Sequence, residues 1–435
     1  MLDVAALLLV VTALLAYANH RFLRLPTTIG VMAIALFLSL AIVGLHALGL
    51  DHGLNAYEKS LLRFVDFSDV LMQGMLSFLL FAGALHVDLV TLKQYRWQIA
   101  ALAIVGTCLS TALVGLAMWW LLPLIGVSLP LLYCLLFGAL ISPTDPISVM
   151  GILKSIGAPK RLELVIAGES LFNDGVGVVL FSLLLGIAAS GVTPTAGEAG
   201  MVLLREAGGG IAFGLALGFV TFRLLKSIDQ YQVEVLLTLA AVMGGYALAT
   251  HLHVSGPLAM VLVGLIVGNG ARAKAMSDTT RRYVDMFWEL LDEILNAVLF
   301  VLIGMEVIVI AFSLPLLLAM VGAIAITLGA RLLTVGAPVR VMTGFFRLPH
   351  GSWRVLTWGG LRGGISVALA FSLAPGPDRD TVLALTYGVV VFSILVQGLT
   401  VGRVASSVCE APEQLPPSAG PSADSAVAEH KVGSA

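Results

Sequence analysis

Residues 168–175 place two carboxylates, a hydroxyl and an amide within one apolar stretch, which reads Gly-Glu-Ser-Leu-Phe-Asn-Asp-Gly. At about 3.6 residues per turn, Ser170 and Asp174 would share one stripe of a helix, and Glu169 and Asn173 would form the adjacent stripe. A hydroxyl and a carboxylate are hard oxygen ligands that suit a small alkali cation, and the second carboxylate remains available for a buried partner. The pattern predicts a cation site, with a purely structural polar network as the alternative.

Two further stretches combine a charge with residues that interrupt helices. Asp145 stands between Pro143 and Pro146, and prolines remove backbone donors and clash with the preceding turn. Arg362 stands within residues 359–364, Gly-Gly-Leu-Arg-Gly-Gly, where glycines weaken a helix and let other backbones approach. The alternatives are a simple proline kink and close packing of small residues. We interpret both stretches as broken helices that carry functional charges.

The composition shows which kind of protein must position these residues. Hydrophobic residues make up 59% of the 435 residues and charged residues 11%, whereas ordinary globular proteins have about 25% charged residues. The apolar residues also fall in long runs, which is typical of a polytopic helical membrane protein. A net charge of -2 and the absence of a basic cluster argue against nucleic-acid binding. The fold class predicted is therefore an all-α polytopic membrane protein.

Apolar runs of about 17 to 25 residues are long enough to cross a bilayer. The sequence predicts thirteen, near residues 2–19, 28–50, 69–87, 98–121, 129–150, 163–189, 201–222, 233–251, 254–270, 286–310, 313–339, 353–374 and 380–403. Residues 51–68 are expected to form a long connection. We expect one transmembrane domain over residues 1–405, followed by a disordered tail over 406–435 that is rich in Pro, Ser and Ala.

The distribution of basic residues predicts the orientation of these spans. Most of the 24 Lys and Arg residues lie in alternate connections, whereas Lys59, Arg63, Arg205 and Arg379 lie in the connections between them. Because cytoplasmic loops carry the excess of Lys and Arg, the N-terminus is predicted outside and the C-terminus in the cytoplasm. The protein is thus expected as a multi-pass protein of the cell (inner) membrane.

Charged side chains inside apolar spans cost about 2.5 to 3.5 kcal/mol each on insertion scales, so they are functional candidates by default. Within the predicted spans this set comprises Asp145, Glu169, Asp174, Arg331 and Arg362. Further candidates near or within the tenth span are Glu289, Asp292, Glu293 and Glu306. The sequence assigns no individual role to these four acids.

The two interrupted spans occupy the fifth and twelfth positions, seven spans apart. If residues 1–189 and 233–405 form two repeats linked by the helix at 201–222, the interruptions fall at matching places, and the odd offset inverts one repeat relative to the other. A pair of broken spans at matching places is the sequence signal of a transporter site near the bilayer midplane. No letter-by-letter repeat supports the division.

Three motifs give the chain a resemblance to a known family: Ser142-Pro-Thr-Asp-Pro146, Glu169-Ser-Leu-Phe-Asn-Asp174 and Gly359-Gly-Leu-Arg-Gly-Gly364. They resemble the signatures of the NhaP-type sodium/proton antiporters, in the monovalent cation/proton antiporter family that also contains the animal sodium/proton exchangers. Residues 254–259 and 287–296 extend the resemblance, which runs from about residue 5 to 403. It implies thirteen helices, inverted repeats with two broken crossing helices, a homodimer and an elevator-like alternating-access core.

The resemblance also implies roles at the ion site. Asp174 would bind either the cation or the proton, and Ser170 and the backbone carbonyl near Thr144 would complete a sodium site. Asp145 would offset the positive N-terminal ends of the crossing half-helices. Asn173 stands where electrogenic relatives have a second Asp, which implies an electroneutral exchange.

Three further residues would support the site by the same resemblance. Arg331 resembles the family's buried partner of Glu169, and Arg362 would stabilise the second broken span. One departure from the family is Phe172, where many relatives have Leu. This apolar replacement leaves the predicted site unchanged.

The predicted function is secondary antiport of sodium, and of lithium with it, against protons, with no cofactor and no enzymatic activity. Its partners would be the alkali cation, protons, membrane lipid and a second copy of the chain. A potassium/proton antiporter is the nearest alternative, because the ligand oxygens suit several alkali ions. A cation channel would also use intramembrane acids and broken helices. An intramembrane hydrolase using Ser170 is a third alternative, weakened by the lack of a base or oxyanion motif.

Overall fold

The computed structural model describes residues 2–47, 75–87, 89–190, 196–271, 276–305 and 313–409, and all regular secondary structure within these ranges is helical. The first half of the chain contains α1 (Leu2–Ala18), α2 (Thr27–Ala47), α3 (Leu76–Leu85), α4 (Leu89–Gln94), α5 (Arg96–Ala100), α6 (Thr107–Leu124), α7 (Leu131–Ile141), α8 (Ile147–Ser155), α9 (Lys160–Ser190), α10 (Ala196–Leu203) and α11 (Gly209–Leu225). Short π-helical turns continue α1 and join α5 to α6 and α10 to α11.

The second half contains α12 (Tyr231–His251), α13 (Gly256–Ile266), α14 (Asp278–Met305), α15 (Leu314–Arg331), α16 (Ala337–Val341), α17 (Thr343–Phe346), α18 (Ser352–Trp358), α19 (Gly364–Phe371), α20 (Pro377–Phe392) and α21 (Gly398–Cys409). Joined across their π turns, seven helical stretches among the described residues are long and apolar enough to cross a membrane. Shorter apolar helices include α3, α7 and the stretch from Gly256 to Gly270. The all-α membrane architecture is confirmed, and the number thirteen stays a prediction.

Several predicted boundaries differ from the structure. The tenth span was expected from 286, but α14 begins at Asp278, because its first turns are polar and extend the helix beyond the apolar part. The tail was expected from residue 406, but α21 continues to Cys409, since Ala405 and Val408 are buried in a cluster with Val355 and Leu356 of α18. The predicted connection 51–68, Glu306 and the tail from 410 lie outside the described residues.

The fifth predicted span is broken into α7 and α8, as expected from its two prolines. The last helical hydrogen bond runs from the amide of Ser142 to the carbonyl of Gly138, and residues 142–146 leave the helix. Neither Pro143 nor Pro146 can donate a backbone hydrogen bond, so the helix restarts only at Ile147. Thr144 and Asp145 therefore lie on non-helical backbone between α7 and α8, where Thr144 is buried.

The twelfth predicted span is broken into α18 and α19, with residues 359–363 between them. The two breaks meet, because the Asp145 amide donates a 2.8 Å hydrogen bond to the carbonyl of Leu361. Non-helical backbone at membrane depth needs such protein partners, since lipid offers none. Two broken, crossing helices are therefore present, and the inverted repeats inferred from them remain a prediction.

The helices around this crossing form an apolar core, while apolar side chains also cover the outside. Trp288 of α14 is fully buried, packs against Phe81 of α3 and donates a 3.0 Å hydrogen bond to Thr238 of α12. Exposed apolar side chains such as Trp120, Leu236 and Val321 cover the outer surface of the long helices. Such a surface matches a lipid surround, where apolar groups need no burial.

Candidate ion-binding site

The long helix α9 passes beside the first break and supplies most of the predicted site. A hydrogen-bond network joins the two: the hydroxyl oxygens of Ser170 and Thr144 lie 2.9 Å apart, and Asn173 Nδ2 donates to Thr144 Oγ1 over 2.9 Å. The Thr144 amide donates to Asn173 Oδ1 over 3.3 Å. All three side chains are buried. The break therefore has a fixed position relative to the Glu169–Asp174 motif.

Glu169 is the carboxylate of this motif that has a protein partner. Two 2.7 Å hydrogen bonds connect its two oxygens to the two terminal guanidinium nitrogens of Arg331, and Asn173 Nδ2 donates a third of 2.7 Å. Arg331 also donates from Nε to the Leu356 carbonyl over 3.2 Å. Glu169 is 1% exposed and Arg331 6% exposed, so the pair is removed from solvent. A bidentate pair with its remaining atoms satisfied neutralises Glu169.

Asp174 contrasts with Glu169, which lies five residues before it on the same helix. The Asp174 side chain is 7% exposed, and no described residue forms a hydrogen bond or ion pair with its carboxylate. Asp174 lines a cavity of about 570 Å³ together with Thr144 and Asp145 of the first break. A buried carboxylate that faces a cavity without a protein counter-ion is suited to bind a cation or a proton from that cavity.

The side chain of Arg362 contacts a different break from the one that the family resemblance assigned to it. Its guanidinium Nη1 donates to the carbonyls of Ser142 and Pro143 over 2.7 and 2.8 Å, so it caps the end of α7 at the first break. Carbonyls at a helix C-terminus lack partners within the helix and favour a positive charge. At its own break, only the Arg362 amide takes part, donating to Ser393 Oγ over 2.8 Å. The expected support of the second span therefore comes from Ser393, and Arg362 links the two breaks.

Asp145 lies against the beginning of α19. A methyl group built on Gly363 would come within 2.9 Å of Asp145 Oδ2, so the carboxylate packs directly on this backbone. Gly363 precedes α19, and residue 145 lies two residues before α8. The carboxylate thus lies near two helix N-terminal ends, where a negative charge is favourable.

Comparison with known proteins shows the family of this arrangement. Residues 10–406 match the family model described as "Sodium/hydrogen exchanger, transmembrane". The chain belongs to the sodium/hydrogen exchanger family. The match covers both broken helices, α9 and α15, so every residue of the site described above lies inside it.

Individual members of the exchanger family resemble the chain along nearly its whole length. It is 54% identical to the Na(+)/H(+) antiporter NhaP of Pseudomonas aeruginosa, over 94% of this chain and 97% of that protein. It is 34% identical to the Na(+)/H(+) antiporter NhaH of Halobacillus dabanensis, over 91% of this chain and 94% of the relative. The fold is similar to that of the sodium proton antiporter MjNhaP1 from Methanocaldococcus jannaschii, with a TM-score of 0.73, 19% identity and coverage of 93% and 97%.

In this exchanger, the structure separates the residues of the predicted ion site into two groups. Asp174, Thr144 and Asp145 line the cavity. Ser170 and Asn173 lie behind Thr144 and hold it through their hydrogen bonds. The Ser170 hydroxyl is 2% exposed and already bonded, so direct contact with an ion would require it to turn away from Thr144.

The cavity of the exchanger also contains acids whose place the sequence did not show. Glu289, Asp292, Glu293 and Asn296 of α14 line the wall, and Glu163 of α9 lines it as well. The four residues of α14 follow helical spacing at i, i+3, i+4 and i+7, and Glu163 lies eleven residues before Asp174 on the same stripe of α9. This spacing is the feature of the sequence from which their shared position could have been predicted. His86 and Lys154 also line the cavity, and nothing in their sequence context distinguishes them.

Replacing Gly360 with Ala should displace the Arg331 side chain, which holds Glu169. The new methyl group would come within 2.6 Å of Arg331 Nε, whereas one at Gly329, two residues from Arg331, would meet nothing within 4 Å. We expect Gly360→Ala to lower thermal stability in detergent, at a cost of about 1 to 3 kcal/mol for overpacking. Gly329→Ala is the matched control and should melt like the wild type. Equal melting of the two variants would show that Arg331 does not need its observed place.

Proposed function

We propose that the chain is a secondary antiporter that exchanges sodium, and also lithium, for protons by alternating access. The pairing of the two neighbouring acids carries the proposal: Arg331 neutralises Glu169, whereas Asp174 faces the cavity without a described protein partner. Asp174 is then the group that alternates between proton and cation. The sodium/proton names of the relatives support sodium over potassium.

One carboxylate couples the two fluxes in this proposal. Sodium binds only deprotonated Asp174, so proton and sodium exclude each other at one group. Thr144 would add a backbone or hydroxyl oxygen, with Ser170 as a further hydroxyl ligand when it turns from Thr144. Asn173 is an amide that cannot titrate, so one cation replaces one proton and no net charge moves.

The same geometry argues against the other functional classes. A channel needs no titrating carboxylate, whereas Asp174 lines this cavity as a buried carboxylate without a partner among the described residues. A hydrolase would need an accessible nucleophile, and the Ser170 hydroxyl is buried and bonded to Thr144. We therefore propose a transporter without enzymatic activity and without a cofactor.

The proposal includes an orientation and an assembly. Lys154 of the cavity wall belongs to the basic residues expected on the cytoplasmic side, so the cavity would open to the cytoplasm. The N-terminus would then be outside and the C-terminus inside the cell membrane. Residues 1–405 would form one transport domain of two inverted repeats, which pairs with a second copy and is surrounded by lipid.

Everted vesicles with a preformed proton gradient test the function directly. Addition of sodium or lithium should dissipate the gradient, whereas potassium should have a much smaller effect. Sodium flux without proton movement would indicate a channel instead. Equal responses to potassium and sodium would favour the potassium/proton alternative, and the lack of any response would reject antiport.

Competition at Asp174 predicts a defined dependence on pH. Below the pKa of the site carboxylate, each unit of falling pH should weaken the apparent sodium affinity about tenfold, because one proton must leave for each sodium bound. The maximal rate at saturating sodium should change much less. Initial exchange rates against sodium concentration at several pH values, with the membrane potential fixed by potassium and valinomycin, measure both quantities. A dependence of apparent sodium affinity on pH that corresponds to two protons per sodium would contradict electroneutral exchange at one site. A rate that follows the imposed voltage would contradict it as well.

A further inference from the structure

A second cavity, of about 480 Å³, lies away from the ion site at the turn that joins α1 to α2. Three basic residues, His20, Arg21 and Arg24, line it, and its described lining includes no acidic residue. Thr27, the first residue of α2, lines it as well. The proposed ion exchange uses none of these residues.

The turn holds its basic side chains on an ordered backbone. Asn19 is 3% exposed, its Nδ2 donates to the Leu25 carbonyl over 2.9 Å, and its own carbonyl accepts the Arg24 amide over 2.7 Å. Arg24 adopts a left-handed backbone conformation with φ of 56°, which is uncommon for a residue other than glycine. These bonds fix the backbone of residues 19–25 before any ligand binds.

The two arginine side chains of this turn have no partner within the described part of the chain. Neither the Arg21 nor the Arg24 guanidinium has a hydrogen bond or ion pair there. The N-terminal end of the 21-residue helix α2 adds a further partial positive charge beside Thr27. Guanidinium groups and a helix N-terminus together favour an anion with several oxygens, and phosphate matches both.

The surroundings of the cavity indicate where such a phosphate would come from. Phe22 is 77% exposed and Leu23 49%, and both flank the basic side chains in the same turn; Tyr17, near the end of α1, is 67% exposed. Only 17% of the span from Ala6 to Leu23 is buried inside the protein, the smallest share among the seven long apolar helices of the described ranges. A soluble phosphate would make no contact with these apolar side chains, whereas the acyl chains of a lipid would cover them.

We propose that the turn between α1 and α2 binds the phosphate headgroup of an anionic membrane lipid, with Arg21 and Arg24 as its main ligands. The headgroup occupies the cavity, and the acyl chains lie along Tyr17, Phe22 and the outer face of α1. Basic pockets at the cytoplasmic ends of membrane helices have the charge required for such headgroups. The bound lipid joins α1, a helix with little protein around it, to the start of α2.

Lipid titration of the purified full chain in detergent tests this site. Phosphatidylglycerol should raise the melting temperature of the wild type, whereas phosphatidylcholine and inorganic phosphate at the same concentration should not. The double variant Arg21→Gln/Arg24→Gln should bind phosphatidylglycerol about thirty-fold more weakly in native mass spectrometry. Arg281→Gln/Arg282→Gln removes two adjacent exposed arginines of α14 that do not line the cavity, and should bind like the wild type.

Four results would overturn the proposal. Equal stabilisation by phosphatidylcholine would exclude a headgroup-charge site, and equal stabilisation by inorganic phosphate would show a site for free phosphate. Unchanged lipid affinity of the double variant would place the lipid elsewhere. If the double variant loses the dimer but binds the lipid like the wild type, the turn contacts a second copy of the chain instead. If the double variant does not fold, the single variants Arg21→Gln and Arg24→Gln decide, each with an expected loss of about fivefold.

Discussion

Asp174→Asn should abolish sodium-driven proton movement, down to the level of vesicles that lack the protein. The amide keeps the size and the burial of the side chain but carries neither the exchanged proton nor a negative charge for the cation. Because Asp174 has no described protein partner, this change breaks no ion pair. The variant should therefore insert and melt like the wild type. Exchange is measured in everted vesicles at matched protein abundance.

Glu163→Gln is a suitable control, since Glu163 lies on the same stripe of α9 and lines the same cavity. It also loses one carboxylate, but eleven residues away from the proposed binding group. We expect its exchange to persist, with a change confined to apparent sodium affinity. Normal turnover of the Asp174 variant would remove this residue from the mechanism, and loss of exchange in both variants would show that general cavity charge matters more than one site.

The second large effect is expected from the Glu169–Arg331 pair, and it concerns stability. Removal of one partner leaves an uncompensated buried charge, at a cost of about 3 to 5 kcal/mol. Glu169→Gln and Arg331→Met should each lower the melting temperature in detergent strongly. The double variant should be more stable than the sum of the two losses predicts, because neither charge remains unpaired.

Arg331→Lys separates charge from geometry in the same experiment. Lysine keeps the positive charge but lacks the planar fork that reaches both oxygens of Glu169 and the Leu356 carbonyl. We expect intermediate stability for this variant. Strictly additive losses in the cycle would contradict a direct pair, and full stability of the lysine variant would show that the bidentate contact contributes little.

The local parts of this site could be predicted from the sequence, because they depend on backbone chemistry and helical spacing. Pro143 and Pro146 interrupt a helix wherever it packs, so the first break followed from two residues. The apolar runs predicted membrane helices in the same way. The 3.6-residue repeat placed Ser170 and Asp174 on one stripe before any packing was known.

Tertiary structure decided how residues far apart in the chain pair with each other. The sequence offered Asp145, Glu169 and Asp174 as buried acids of similar kind, and only the tertiary structure, which brings the Arg331 side chain of α15 to Glu169 of α9, shows which of them Arg331 neutralises. The resemblance to a family had suggested this pair, whereas the residues alone left it open. Such a contact spans 162 positions and follows from helix packing, which no local repeat encodes.

The same reason explains the two findings that the sequence did not foresee. Arg362 belongs to the second break by position, yet its side chain caps the first, because the two broken helices cross and bring its guanidinium to the carbonyls of Ser142 and Pro143. The acids of α14 showed helical spacing in the sequence, but the cavity they face exists only where α14, α9 and the first break meet. The sequence by itself thus determined the helices, their interruptions and the charges they carry. Packing decided which charge is paired and which faces the cavity, since that choice depends on distances between helices.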